Sequence, residues 1–216
     1  MNEVERWAKK NGGFRRHRFF RTSGSSGREK WVALSDEALE WSARSVIGAL
    51  GIVSKDVLGL ALPVIHVGGY GMILRAQISG ASLVKLEARW NAGGFADWCD
   101  VNRVTITSLV PTQVYDLVSA RLECPTSMRT LVVGGEPLDA ELTRKARDLG
   151  WPVVPSYGMT ETSSQVATGD GLPLLQGWEA RIVEGRLALK GDGLLSAIIL
   201  RKGDGFVAED PKIDGW

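Results

Sequence analysis

A short stretch near the start of the chain concentrates groups that bind phosphate. It reads Thr22-Ser23-Gly24-Ser25-Ser26-Gly27-Arg28-Glu29-Lys30. Its hydroxyls, its backbone amides freed by glycine and its cations can all donate hydrogen bonds to a polyphosphate. It is not a Walker loop, because that motif needs Gly-Lys-Ser/Thr leading into a helix, whereas an apolar run at 31–34 follows here. A flexible Gly/Ser linker is the alternative, but the flanking apolar runs and the cations favour a phosphate-binding loop.

A second candidate combines a hydroxyl with a carboxylate. The stretch Ser156-Tyr157-Gly158-Met159-Thr160-Glu161-Thr162 follows an apolar run that ends at Val154. Ligands of open α/β sheets usually bind at that end of a strand. Thr160 can donate to a phosphate oxygen, while Glu161 supplies the hard anionic ligand that Mg²⁺ prefers. A helix start that Thr160 or Ser156 merely caps is an alternative that the motif alone leaves open.

Arg75 is a third candidate, because it is the only charged residue in the predicted helix Gly69–Ile78. A buried guanidinium needs a partner, and its planar shape suits a carboxylate. The alternative is a surface arginine whose aliphatic stem covers an apolar face. For His66, nine residues earlier, the alternative is a hydrogen-bonded core histidine.

Alternating apolar runs and helical patterns supply the elements that must position these groups. The pattern from Trp31 to Pro155 predicts an α/β fold with a doubly wound, largely parallel sheet and helices on both faces. The predicted strands are Trp31–Leu34, Val57–Leu62, Ser82–Leu86, Val104–Val110, Thr130–Val133 and Val153–Val154. The predicted helices are one capped by Ser35 or Asp36 and ended by Gly51, then Gly69–Ile78, Ala92–Asn102, Pro111–Ala120 and Leu138–Leu149.

After Pro173 the pattern changes to short strands with glycine turns. One predicted hairpin joins 180–183 to 186–190 through Glu184-Gly185, and a second joins 196–200 to 206–208. We therefore predict three segments. They are a basic N-terminal segment with the phosphate loop at 1–30, an α/β core at 31–172 and a small β subdomain at 173–216.

Composition excludes several classes of protein. The 216 residues are 44% hydrophobic and 24% charged, which is typical of a globular chain rather than a disordered one. Cys99, Cys124 and two histidines are too few for a disulfide framework or a four-ligand zinc site, and we expect both thiols to pack as apolar groups. The longest uncharged stretch, Val57–Leu74, contains a proline and four glycines, which a membrane span tolerates poorly. With no signal peptide at its start, we expect a soluble, cytoplasmic chain.

Charge is distributed unevenly along the chain. Residues 1–30 contain nine Lys or Arg and three Glu, a net charge of +6, in a chain whose net charge is +1. Such a segment can attract nucleic acid, a membrane surface or a nucleotide phosphate, or can simply be solvated. It carries no aromatic-rich RNA signature or zinc-finger spacing, so we do not expect a nucleic-acid partner.

Together, the first two motifs resemble those of the adenylate-forming family of acyl-CoA synthetases. That family has a phosphate loop of the type Ser/Thr-Ser/Thr-Gly-Thr-Thr-Gly-x-Pro-Lys-Gly and a later motif Tyr-Gly-x-Thr-Glu. Here Glu29 replaces the proline and Trp31 the last glycine. Gly134-Gly135-Glu136-Pro137-Leu138 is similar to the family's turn at the adenine pocket, although glycines also serve ordinary tight turns. The resemblance implies the large-domain part of such an enzyme.

A narrower resemblance points to the o-succinylbenzoate–CoA ligases of menaquinone biosynthesis. It rests on Ile65-His66-Val67-Gly68-Gly69-Tyr70-Gly71 with Arg75, and on Ser108-Leu109-Val110-Pro111-Thr112-Gln113. In that subgroup the histidine stretch shapes the acyl pocket, and an arginine nine residues later holds a substrate carboxylate. Gly68 replaces a serine that is usual in the subgroup.

The resemblance implies a role for each matching residue. Phosphate ligands would be Thr22, Ser23, Gly24, Ser25, Ser26, Gly27 and Lys30; adenine contacts would be Gly134, Gly135, Glu136, Pro137, Ser156, Tyr157 and Gly158; and acyl-group contacts would be His66, Gly68, Arg75 and Thr112. Thr160 and Glu161 would be the catalytic pair, with Thr160 at the α-phosphate and Glu161 as the Mg²⁺ ligand.

The resemblance also implies the reaction. ATP would activate a small carboxylate as an acyl-adenylate with the help of Mg²⁺, and CoA would then displace AMP. Family members continue past Asp214-Gly215-Trp216 into a ribose-binding strand and a small catalytic domain, and they have a longer N-terminal region. We therefore expect a large-domain fragment with weak activity or none.

Two alternatives remain open at this point. They are an adenylating ligase for another aryl or acyl carboxylate, and a non-catalytic nucleotide- or nucleic-acid-binding module. A homodimer is compatible with the sequence, which does not determine the oligomeric state.

Overall fold

The computed structural model describes residues 3–23, 29–203 and 205–216. The helices are α1 (Glu3–Asn11), α2 (Asp36–Leu50), α3 (Val67–Ser79), α4 (Ala92–Val101), α5 (Pro111–Ser119) and α6 (Ala140–Asp148), with a one-turn 3-10 helix at Thr160–Thr162. The strands are β1 (His17–Ser23), β2 (Glu29–Ser35), β3 (Val57–Leu60), β4 (Ser82–Lys85), β5 (Ile106–Leu109), β6 (Thr130–Val133), β7 (Val153–Met159), β8 (Ser164–Thr168), β9 (Glu179–Val183), β10 (Arg186–Lys190), β11 (Ala197–Lys202) and β12 (Gly205–Glu209).

A six-stranded sheet forms the centre of the fold, in the order β4-β3-β5-β6-β7-β8. All neighbours from β4 to β7 are parallel, and β8 alone is antiparallel. β5 and β6 are buried along their whole length, as expected for strands covered on both faces. The predicted α/β class with a largely parallel sheet is confirmed.

Side chains of β5 show that helices cover both faces of this sheet. Ile106 packs in a cluster with Met72 of α3, and the Ser108 hydroxyl lies 3.6 Å from the Met72 sulfur. Leu109 belongs to the opposite cluster, with residues of α4, α5 and α6. Because successive strand residues point to opposite faces, α2 and α3 cover one face and α4 to α6 the other, as the doubly wound pattern predicts.

Helix ends follow the predicted signals. The Ser35 hydroxyl accepts a hydrogen bond from the Ala38 amide at the start of α2, and Gly51 ends that helix with φ 58°. Pro111 occupies the first turn of α5. α6 begins later than predicted because Asp139, not Leu138, precedes it and caps the Leu142 amide at 2.9 Å.

A second sheet has the order β1-β2-β11-β12 and is antiparallel throughout. The prediction that the run at 31–34 joins the parallel sheet is therefore wrong. β1 ends at Ser23 and β2 begins at Glu29, and so short a connection permits a hairpin but not the crossover that parallel strands require. β1 was missed because its polar residues mask the strand pattern.

Both hairpins predicted after Pro173 are present. β9 and β10 pair around Glu184 and Gly185, whose φ angles of 50° and 74° define a turn that suits the twist of a hairpin. β11 and β12 form the other, and Ala197 of β11 pairs with Ala33 of β2. This pairing brings strands from all three predicted segments into one sheet, while the segment boundaries themselves stay predictions.

An ion pair between the buried Asp56 and the partly exposed Arg129 connects the amino ends of the parallel strands. Arg129 donates to both carboxylate oxygens of Asp56, at 2.9 and 2.7 Å, and also to the backbone carbonyls of Leu50 and Gly51. The Thr105 hydroxyl donates to the same carboxylate at 2.9 Å. These hydrogen bonds hold the pKa of Asp56 at about 2, well below its ordinary value.

In the part of the chain that the structure describes, no helix is long and apolar enough to cross a membrane.

Candidate functional site

Four neighbouring parallel strands deliver most of the predicted acyl and adenine contacts to one edge of the central sheet. His66 and Gly68 follow β3, Thr112 follows β5, and residues 134–137 follow β6, while 156–158 lie in the second half of β7. Since carboxyl ends of parallel strands meet at the same edge, the order β3-β5-β6-β7 groups the predicted acyl and adenine contacts.

The two predicted adenine stretches touch each other. The Ser156 hydroxyl donates to the Val133 carbonyl at 3.2 Å. A Cβ on Gly134 would lie 2.4 Å from that hydroxyl oxygen, so only glycine fits. Gly135 has φ 90°, in the left-handed region, and leaves Glu136 and the following proline exposed.

The Thr160–Glu161 motif is built differently from the prediction. Residues 156–159 belong to β7 itself, and the helix begins only at Thr160. Neither Thr160 nor Ser156 caps it; the Thr162 hydroxyl accepts a hydrogen bond from the Met159 amide at 3.1 Å. The capping alternative is therefore wrong, and Thr160 and Ser156 keep side chains that the local fold does not use as caps.

Gly158 permits a close crossing of two backbones beside this motif. The β7–β8 register shifts between Tyr157 and Gly158. A Cβ at Gly158 would lie 1.9 Å from the carbonyl oxygen of Ser164. Ser163 and Ser164 have φ angles of 58° and 144°, a backbone conformation that non-glycine residues rarely adopt.

The phosphate-loop hairpin reaches the same place. Lys30 Nζ lies 2.8 Å from Glu161 Oε1, and each side chain is 25% exposed. Thr22 lies opposite Lys30 in the β1–β2 register, and its hydroxyl is buried without a hydrogen-bond partner among the described residues. The predicted ligands Gly24, Ser25, Ser26 and Gly27, and the Ser23 side chain, lie outside what the structure describes. The two described loop ligands therefore point to one site with Glu161.

Arg75 is buried, with 2% of its surface exposed. Its Nη2 donates to the Ser164 hydroxyl at 3.0 Å and its Nη1 to the Met72 sulfur at 3.5 Å, while Nε has no partner in the described part of the chain. Burial lowers the pKa of the guanidinium to about 10, so it stays charged at neutral pH. The alternative of a surface arginine is wrong.

No carboxylate neutralises Arg75 within the described ranges, where its hydrogen bonds go only to a hydroxyl and a thioether. A buried cation without an anion is costly, and a planar guanidinium favours a bidentate carboxylate. The sequence did not identify Ser164 as its partner, because the contact depends on the left-handed turn at Ser163. No residue pattern in the sequence predicts the left-handed backbone at Ser163.

The other predicted acyl contacts are at the surface. His66 is exposed at the amino end of α3, where its carbonyl accepts from the Tyr70 amide. The core-histidine alternative is therefore wrong. Thr112 is exposed in the first turn of α5, and in the described residues neither side chain is hydrogen-bonded to Arg75. The topology groups these three residues at one sheet edge without joining them directly.

The side chains of Thr160 and Glu161 suit a metal ion only if phosphate oxygens supply further ligands. Within residues 3–23, 29–203 and 205–216, no three His, Cys, Asp or Glu side chains come together as a metal site. Glu161 offers a single carboxylate, beside the Thr160 hydroxyl. Because Mg²⁺ in nucleotide sites is commonly held by one or two carboxylates plus substrate phosphates, these residues fit Mg²⁺ bound with ATP.

The two cysteines lie away from this chemistry, in the cluster around α4 to α6. Burial raises the pKa of the Cys99 thiol far above its ordinary range and that of Cys124 to about 12. Both therefore remain protonated and are poor nucleophiles.

Comparisons with known proteins identify the family of the chain. A model of the AMP-binding enzyme family matches residues 19–187. The 2-succinylbenzoate–CoA ligase of Bacillus pumilus strain SAFR-032 is 35% identical over 147 residues, which cover 68% of this chain and 30% of that protein. The o-succinylbenzoate coenzyme A synthetase of Bacillus subtilis, solved with ATP and magnesium, has a TM-score of 0.75 at 25% identity, covering 87% of this chain and 48% of its own.

The same Bacillus subtilis enzyme, solved with its acyl-adenylate intermediate, has a TM-score of 0.76 at 25% identity, with 87% of this chain and 47% of its own covered. The chain thus spans less than half the length of each of these proteins. The family match covers most of the chain, including both motifs and the Arg75 helix. The chain therefore belongs to the AMP-binding enzyme family.

Proposed function

We propose that the chain binds ATP, Mg²⁺ and a small carboxylate, and contributes to an AMP-forming acid–thiol ligase that activates the carboxylate and transfers it to CoA. We further propose 2-succinylbenzoate as the carboxylate, in menaquinone biosynthesis. The support is the family membership, the substrate in the names of the similar enzymes and the Arg75 site. A cytoplasmic location, a homodimer and the absence of nucleic-acid binding stay predictions.

The single observation that carries the proposal is the buried, anion-free guanidinium of Arg75. Its ordinary partner in a protein is a carboxylate, and none is supplied by the described residues. A substrate with a second carboxylate, remote from the one that reacts, can occupy this position. 2-Succinylbenzoate has two such groups.

The proposed reaction has two steps, and residues of this chain are assigned to its ATP and Mg²⁺. A carboxylate oxygen of the substrate attacks the α-phosphorus of ATP and pyrophosphate leaves; the CoA sulfur next attacks the acyl carbon and AMP leaves. Thr160 donates to the α-phosphate and Lys30 to the β- and γ-phosphates, while Glu161 holds Mg²⁺, which neutralises phosphate charge. Residues 134–137 and 156–158 flank the adenine. Catalysis of this kind rests on positioning and charge neutralisation.

Thermal-shift titration tests the proposal, because a ligand that binds only the folded chain raises its unfolding midpoint. We expect MgATP and 2-succinylbenzoate each to raise it. In Arg75→Lys the shift from 2-succinylbenzoate is lost, since an ammonium cannot make the bidentate contact, while the MgATP shift remains. Arg144→Lys, at an exposed pair on α6, is the control and should respond as the wild type does.

Two results would contradict the proposal. One is the absence of any shift with MgATP. The other is an equal 2-succinylbenzoate shift in the wild type and in Arg75→Lys.

Gly68 favours a second candidate, an adenylating ligase for another carboxylate. A Cβ at this position would meet only the Leu62 side chain, at an ordinary 3.6 Å, so the backbone does not require glycine. The missing hydroxyl therefore bears on the ligand rather than on the fold. Larger shifts with another aryl or acyl carboxylate than with 2-succinylbenzoate would favour this candidate.

A further inference from the structure

The contact between Lys30 and Glu161 joins the two parts of the proposed nucleotide site. β2 carries Lys30 beside the phosphate loop, and the one-turn helix carries Glu161. Their 2.8 Å contact is a hydrogen-bonded ion pair in which each side chain is three-quarters buried. Lys30 and Glu161 therefore pair with each other, although Lys30 is proposed to contact phosphate and Glu161 to hold Mg²⁺.

We propose that Lys30 competes with Mg²⁺ for Glu161, the proposed magnesium ligand, so that Mg²⁺ and the nucleotide bind well only together. This inference rests on the proposed function. It adds a role for Lys30 as a positioning residue for Glu161, besides its contact with phosphate.

The metal alone faces an unfavourable exchange. Glu161 is a single carboxylate, and in the described ranges no cluster of three ligand side chains supplements it. Mg²⁺ would have to displace the Lys30 ammonium and leave that charge near a dication. Two cations held this close in a partly buried place repel strongly.

The nucleotide alone faces the opposite problem. Its phosphates must draw Lys30 away and then lie beside an uncovered Glu161 carboxylate, an arrangement of like charges. The MgATP complex avoids both costs, because Lys30 moves to phosphate while the metal replaces it on Glu161. Each group exchanges one charged partner for another of the same sign, and no charge is left unpaired.

Separate binding measurements of metal and nucleotide test this exchange. Mn²⁺ without nucleotide is titrated by electron paramagnetic resonance, and ATP in EDTA by calorimetry. In Lys30→Met the Mn²⁺ affinity should rise about fivefold, the upper range for a partly exposed ion pair, while ATP affinity falls. In Glu161→Gln the affinity for metal-free ATP should rise about fivefold, while Mn²⁺ binding is lost. Lys30→Arg keeps the positive charge beside Glu161, so the Mn²⁺ affinity should not rise.

A matched control separates this effect from a general change of charge. Lys85, at the end of the edge strand β4, forms an exposed ion pair of the same length, 2.8 Å, with Glu87. Lys85→Met therefore makes the same change of charge away from the candidate site and should change neither affinity. If Lys30→Met and Glu161→Gln both weaken both probes, the pair is only structural and the inference is overturned. A chain that does not bind MgATP overturns the proposed function itself, whereas binding of MgATP without the opposite shifts overturns this inference alone.

Discussion

At the scale of single residues, the charged groups of the candidate site are held by defined contacts. Arg75 is buried, and among the described residues its side chain donates only to the Ser164 hydroxyl and the Met72 sulfur. Lys30 and Glu161 hold each other. Because Arg75 is already ordered, it loses little conformational entropy on binding, and this favours affinity for a carboxylate.

Gly158→Ala tests whether the close approach of β7 and β8 requires glycine at this position. The new Cβ would lie 1.9 Å from the Ser164 carbonyl oxygen, so one of the two backbones must move. We expect a loss of about 1–3 kcal/mol in the free energy of unfolding, as for other overpacked sites, together with loss of 2-succinylbenzoate binding through displaced Ser164. Urea unfolding and thermal-shift titration measure the two effects.

Gly48→Ala is the matched control for that substitution. Gly48 lies in α2, and a Cβ added there would meet nothing within 4 Å. Alanine also has the higher helix propensity, so stability should rise slightly or stay equal. Equal stability and ligand response in Gly158→Ala and the wild type would contradict the steric argument.

Some of these residues could be predicted and others could not. Arg75 was identifiable because a lone charge in an apolar helix is conspicuous, and Thr160 and Glu161 because a hydroxyl beside a carboxylate follows a strand. Ser164 and the Lys30–Glu161 contact were missed. Both depend on backbones that meet from distant parts of the chain, and no local spacing encodes such a meeting.

At the scale of elements, the two ends of the parallel strands have separate tasks. The carboxyl ends carry the predicted ligands, whereas the amino ends are fastened by Asp56 and Arg129. Periodicity was enough to predict this sheet, since its strands are apolar and regularly spaced. It was not enough to place β2, because the run at 31–34 has the composition of a buried parallel strand but pairs with β1 and β11.

The pair at the amino ends predicts how stability depends on pH. The folded-state pKa of Asp56, about 2, is below the ordinary value of 3.8, so its stabilisation is complete above about pH 4 and is lost as the pH falls through 2. Asp56→Asn lacks this contribution. Urea unfolding should therefore show a stability gap between wild type and Asp56→Asn that narrows by about 2 kcal/mol between pH 5 and pH 2.

The exposed pair of Asp148 with Arg144 supplies the comparison. Asp148→Asn should lie within about 0.5 kcal/mol of the wild type at both pH values, because exposed pairs contribute little. A gap for Asp56→Asn that stays constant from pH 5 to pH 2 would show that the carboxylate's charge is not what stabilises the fold.

At the scale of the whole molecule, the last two strands, β11 and β12, hold the β1–β2 hairpin in its sheet. β2 lies between β1 and β11, and Ile199 of β11 pairs with Trp31 and is fully buried. Lys30 pairs with Leu200 at the end of this ladder. Lys30, a proposed phosphate ligand, is therefore held by a strand that lies beyond the span of the family match at 19–187.

Ile199→Pro tests this dependence. Proline cannot donate to the ladder and the apolar side chain is lost, so amide hydrogen exchange should accelerate in β2 and MgATP stabilisation should fall, while β6 in the central sheet keeps its protection. Ile182→Pro, in the exposed β9–β10 hairpin, should leave β2 and the MgATP shift unchanged. Unaltered exchange in β2 of Ile199→Pro would refute the coupling.

The pairing of Ala33 with Ala197 also sets an order of events when the chain is made. Contacts between residues so far apart form slowly, because a long loop must close first. During synthesis the central sheet can assemble from neighbouring segments as they emerge, but β2 must wait for β11. Lys30 is therefore synthesised long before the strand that holds it, and its proposed contacts with ATP are completed only once β11 has paired with β2.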